Sequence, residues 1–152
     1  MQGSTTLRAV CFYLFVAGLL SINVSCQKTH SETDEAAQDK QAAQSLVPQA
    51  DKLYAQRDDL MKVRQGIILL RQARTADANN YDAAWRLAEF NYFLGTHTKE
   101  GAEREKALAD GVEAGKAAVK LQPNRPEGHF WLGAGYGGRA QSSSLTGLTS
   151  QK

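Results

Sequence analysis

Residues 123–136, PNRPEGHFWLGAGY, decide the fold. Pro123 cannot continue a helix, so the preceding helix ends beside it. After the turn, His129, Leu132, Gly133 and Tyr136 recur at helical spacing and share one face, with a small residue set among larger ones. That mixture suits a helix that another helix must approach closely. Counting back from Pro123, the segment GVEAGKAAVKLQPN places Gly111, Gly115 and Ala118 on one face of the helix before it. The same offsets recur upstream in GIILLRQARTADANN, where Gly66, Leu70 and Ala73 precede Ala78 in the proline's place. Beyond Ala78, Trp85, Ala88 and Tyr92 repeat the spacing of the next first helix.

These offsets resemble those of the tetratricopeptide repeat, whose units are helical hairpins of about 34 residues. Trp85 and His129 lie 44 residues apart, and the polar connection from Gly95 to Arg104 takes up the surplus. The implied fold is all-α: tetratricopeptide-like hairpins stacked as a short right-handed solenoid, with the last repeat incomplete. One hairpin cannot bury its apolar face alone, and stacking neighbours does so. The expected helices span 42–57, 60–76, 82–95, 103–121 and 126–140. Asn79-Asn80 and Pro123-Asn124 supply turns.

The N-terminus follows another regime. Arg8 precedes an apolar run from Ala9 to Ile22, too short to span a membrane but ordinary for a signal peptide. Asn-Val-Ser before Cys26 resembles the lipobox of bacterial lipoproteins, although Asn23 departs from the usual aliphatic residue. The organisation expected is therefore a signal peptide over 1–25 and a lipid-anchored flexible tether over 26–41. A helical repeat domain covers 42–140, and an unstructured or truncated tail covers 141–152. Cys26 is the expected site of lipid attachment, placing the chain at a bacterial cell-envelope membrane facing the periplasm. With Cys11 removed, one cysteine remains and no internal disulfide can form.

Composition narrows the function. The 42% hydrophobic and 22% charged content is that of a globular domain, and a net charge of +2 gives no basis for nucleic-acid binding. Arg57, Lys62, Arg64, Arg71 and Arg74 gather on one segment, which reads as a solvated helix face or an anion-attracting rim.

Chemistry is hard to find. GAGYGG at Gly133–Gly138 satisfies the dinucleotide fingerprint by letter, but that motif needs a strand before it and a helix opening from it. The three histidines, His30, His97 and His129, lie far apart without a second ligand at helical spacing. Asp58-Asp59 reads as helix-terminal charge. No catalytic, cofactor or metal residue is assigned.

Aromatic residues exceed what one buried stripe needs. Phe90 and Phe93, on another side from Trp85 and Ala88, form with Trp131 a candidate groove for a small apolar molecule, unless they pack against neighbouring helices.

Several stretches together resemble the T-component of TRAP transporters, a family of periplasmic repeat lipoproteins. They are Cys26, ADKLYAQRDD from Ala50, DAAWRLAEFNYFLG from Asp82, the GxxxGKAA form of Gly111 to Ala118, and PEGHFWLG from Pro126. The resemblance covers most of the chain from Ala50 to Arg139. It implies a non-enzymatic scaffold whose partner is another extracytoplasmic protein, the TRAP solute-binding component, with a chamber for an apolar ligand.

Overall fold

Five helices follow one another in the computed structural model, which describes residues 27–149: α1 (Gln27–Tyr54), α2 (Leu60–Ala76), α3 (Tyr81–His97), α4 (Gly101–Leu121) and α5 (Pro126–Thr149). The chain divides into two compact units, Met1–Gln38 and Asp39–Lys152. Of the first, the described part is the opening of α1. The second holds the hairpins and everything that follows below.

Side chains cap the starts of two helices. Asp59 caps α2 by accepting from the Met61 amide at 2.8 Å, and Asn80 caps α3 by accepting from the Ala83 amide at 2.9 Å. Such caps satisfy amides that the first helical turn leaves without partners. Asp77, in the α2–α3 turn, accepts from the Asn79 amide. The connection expected over Gly95–Arg104 is shorter than that: only 98–100 lie outside a helix, with Thr98 closing α3.

Two segments expected without structure are helical. Residues 27–41 belong to α1, in keeping with the high helix propensity of their Glu, Ala, Gln and Lys. Residues 141–149 continue α5, which no proline interrupts. Pro48 sits inside α1 on its exposed side, so the carbonyl it leaves without an amide partner faces water. Residues 1–25 and Cys26, on which the signal peptide and the lipid attachment were placed, lie outside the described residues.

The core begins where α1, α2 and α3 meet. Ala43, Val47 and Ala50 of α1 pack with Val63, Ile67, Leu70 and Ala73 of α2 around Phe90 and Leu94 of α3. Phe90 is fully buried, and its ring fills the space above Gly66 while stacking on Tyr54 with centroids 4.4 Å apart. Next, α4 packs closely on α3 through Gly111, against Asn91, and on α5 through Gly115, against the backbone of Leu132. A second cluster around Tyr81, Ala84 and Ala118, flanked by Trp85, closes the far end of α3. The arrangement is an all-α stack of helical hairpins in which α2 and α4 both pack on α3, and one buried cluster takes in Val63 and Ile67 of α2 with Ala107 of α4. No Cα of α2 comes within 8 Å of one in α4.

Candidate docking groove

Because α2 and α4 stand apart, α3 forms the floor of a trough between them. Long side chains cross it. Arg64 of α2 donates from Nε and Nη2 to both carboxylate oxygens of Glu103 in α4, each at 2.7 Å. Two helical turns along, Arg71 donates to Asp110 at 2.7 Å, and Lys106 of α4 reaches the same carboxylate at 2.9 Å. These pairs are partly solvated, so each contributes about 1 kcal/mol, and their role is to set the spacing of the walls.

Between and beside the bridges lie two adjoining hollows. One, about 210 Å³, is walled by Ile67, Ile68, Leu94 and Ala107 and rimmed by the ion pairs. The other, about 390 Å³, shares Arg71, Asn91, Lys106 and Asp110 with it and runs on past Leu87 and Ala114. Ile68 stands at the rim with 54% of its surface exposed, an unusual position for an isoleucine. Asn91, in the floor, is buried and uses its amide to donate to the Leu87 carbonyl.

Electrostatics fix one end of the trough. The Arg64 guanidinium, and then the Thr98 hydroxyl, hold the Glu103 carboxyl down at about 2. Thr98 is buried, donates to Glu103, and accepts through its carbonyl from Arg104 at 3.0 Å. The loop between α3 and α4 is thereby tied to the α2–α4 bridge.

A second surface runs along α1, α3 and α5. Tyr54 meets Phe93 edge-on with centroids 5.6 Å apart, Arg57 lies over the Tyr54 ring at 5.1 Å, and His97 stacks on Phe93 at 3.8 Å. Burial and the neighbouring Glu89 push the Tyr54 phenol up to about 12, and burial raises the Glu89 carboxyl. Further along, Tyr92 meets Trp131 at 5.9 Å, and Trp131 meets Phe130 edge-on at 4.9 Å. Tyr81 joins the starts of α3 and α5, accepting from the Gly128 amide and donating to Glu127.

The residues singled out from sequence fall into three groups. Gly66, Leu70, Ala73, Ala88, Gly111, Gly115 and Ala118 are buried between helices, while Trp85, Tyr92 and Leu132 are half-buried. Pro123, His129, Gly133 and Tyr136 are exposed. His129 engages the Pro123 carbonyl at 2.7 Å, and a Cβ at Gly133 would meet nothing within 4 Å. The face that α5 buries is instead Gly128, Gly135 and Gly138, against Ala118, Val112 and Leu108. No helix among the described residues covers the other side.

The candidate groove of Phe90, Phe93 and Trp131 is not assembled. Phe90 is core, Phe93 belongs to the Tyr54–His97 column, and Trp131 packs with Tyr92 and Phe130. GAGYGG lies within α5, where its amides face neighbouring turns of the helix and not a ligand. Among the described residues no three His, Cys, Asp or Glu side chains group to hold a metal, and no helix is long and apolar enough to cross a membrane.

The trough was not anticipated, although a signal for it exists. Arg64 and Arg71 are seven residues apart, as are Glu103 and Asp110, so both pairs present two turns of one face.

Neither a curated protein nor a solved structure matches the chain. A family model does, over residues 46–148, and it is that of regulator of microtubule dynamics protein 1-3. The match overturns the resemblance to tetratricopeptide lipoproteins of the TRAP T-component type. The residues that carried it, such as Gly111, Gly115, Trp85 and Leu132, are positions that any stack of close helical hairpins needs, so they report packing and not family. Covering about two thirds of the sequence, the match establishes that the chain belongs to the regulator of microtubule dynamics protein 1-3 family.

Proposed function

We propose that the chain is a non-enzymatic scaffold that docks a segment of a partner protein in the trough between α2 and α4. One observation carries this reading. The two walls are joined by side-chain bridges with no Cα of one within 8 Å of the other, and the hollow between them has Ile67, Leu94 and Ala107 at its base and Ile68 exposed at its rim. Channels of this kind accept the side chains of a partner helix or extended segment. The family's name makes a component of the microtubule system the first partner to test.

The experiment compares proteins retained by the wild type, by Ile68→Glu and by Phe130→Glu, each purified from its native cells. Both substitutions fall on exposed side chains, so the fold should be retained, which circular dichroism checks. Docking in the trough predicts specific proteins retained by the wild type and by Phe130→Glu but lost from Ile68→Glu. An identical set from all three, or loss from Phe130→Glu alone, contradicts it.

A further inference from the structure

We infer that the trough selects an acidic segment: an apolar side chain followed, about one helical turn along, by a carboxylate. This rests on the docking reading and adds the chemistry of the partner.

The charges lining the two hollows are unevenly satisfied. Cations number four (Arg64, Arg71, Arg74, Lys106) and anions three (Glu103, Asp110, Glu113). Glu103 is saturated by Arg64 and Thr98. Glu113 is engaged by Lys116 of its own helix at 2.8 Å. Asp110 alone then serves both Arg71 and Lys106. Arg74 makes no ion pair and turns its guanidinium to the Ala78 carbonyl. One wall-to-wall position therefore carries more positive charge than its single carboxylate neutralises. Guanidinium and ammonium groups in this state bind a further carboxylate through charge-assisted hydrogen bonds.

Geometry supplies the second half of the motif. Ile67 and Ile68 precede Arg71 by four and three residues, so the apolar hollow and the cationic position lie about 5 Å apart along the helix axis. An apolar residue and an acidic residue spaced i, i+3 or i, i+4 on a helix match that separation, as do alternate residues of an extended strand. The smaller hollow, about 210 Å³, has room for one large aliphatic or aromatic side chain. A basic segment would instead meet Arg71, Arg74 and Lys106 with like charge.

The test pans a random 12-residue peptide display library on the full-length chain and on Ile68→Glu. Enriched peptides are then titrated against the wild type, against Arg71→Glu with Lys106→Glu, and against Asp110→Asn. The expected result is enrichment of acidic, apolar peptides that requires Ile68. Their affinity falls tenfold or more in the charge-reversed double variant and rises in Asp110→Asn, because removing the internal carboxylate frees both cations. A structural role for Asp110 would instead weaken binding in Asp110→Asn. Peptides that depend on Ile68 but are basic or uncharged, or an affinity unchanged in Asp110→Asn, overturn the selectivity and leave trough docking standing. Enrichment indifferent to Ile68→Glu, or no enrichment at all, removes trough docking with it.

Discussion

Gly66 lies under the ring of Phe90 so closely that a Cβ built on it would stand 2.4 Å from the ring carbon Cε1. That pair fixes how near α2 comes to α3, and through it the depth of the core on which the trough rests. Gly66→Ala forces the ring aside and should destabilise by about 1–3 kcal/mol despite the better helix propensity of alanine. Phe90→Ala should cost about 3–5 kcal/mol. In the Phe90→Ala background the added methyl enters a cavity, so Gly66→Ala should cost far less there. Urea unfolding of the four proteins measures the coupling, and additive effects would refute the contact.

Gly115 and Gly133 make a contrasting pair. A Cβ at Gly115 would meet the Cα of Leu132 at 2.9 Å, whereas at Gly133 it would meet nothing within 4 Å. Gly115→Ala must separate two backbones and should lower the melting temperature. Gly133→Ala should raise stability by roughly 0.5–1 kcal/mol, since glycine is entropically costly inside a helix. Calorimetry of both variants decides it, and a destabilised Gly133→Ala would mean that its face of α5 is covered.

The Arg64–Glu103 bridge has a pH signature. Glu103 is held below the ordinary carboxylate value of 4.5, at about 2, so pairing stabilises the folded state. That contribution is complete above 4.5 and is lost as pH falls toward 2. With 33% and 28% of the two side chains exposed, it amounts to no more than about 1 kcal/mol. Glu103→Gln should flatten the stability–pH curve over that range, and a curve parallel to wild type would contradict the pairing.

Glu89 carries the opposite sign. Burial, more than any neighbour, raises its carboxyl above 4.5, so the folded state holds the proton more tightly than the unfolded chain does. Its contribution is fully present below 4.5 and is lost as pH rises past the raised value. Glu89→Gln removes that cost and should melt higher than wild type at pH 7, with the difference vanishing in acid. The Tyr54 phenol behaves likewise in alkali, where stability falls as pH climbs from 10 to about 12.

How much of this was legible varies along the chain. The hairpins were, because Gly66, Leu70 and Ala73 and then Gly111, Gly115 and Ala118 repeat a face at fixed offsets, and close helix packing leaves that mark in a single sequence. The face of α5 was not. The offsets that named His129, Gly133 and Tyr136 describe the side a following helix would meet, while contact with α4 selects Gly128, Gly135 and Gly138. Helicity of residues 27–41 was obscured because a polar segment signals solvation, and propensity within it carries little weight against that. The trough lay in a pairing between distant helices, visible as the matched seven-residue spacings of Arg64/Arg71 and Glu103/Asp110 only once α2 and α4 are known to stand side by side. Family identity was hidden because packing positions are shared by many helical repeats.

The most direct measurement places a photo-reactive benzoylphenylalanine at Ile68 in one version of the full chain and at Phe130 in another, and irradiates each in its native cells. Docking in the trough predicts a discrete crosslinked protein from position 68, and its selectivity for an acidic segment predicts that the product is abolished when Arg71 and Lys106 are both changed to Glu. A discrete product from position 130 with none from position 68 would place the interaction on α5 and contradict the trough.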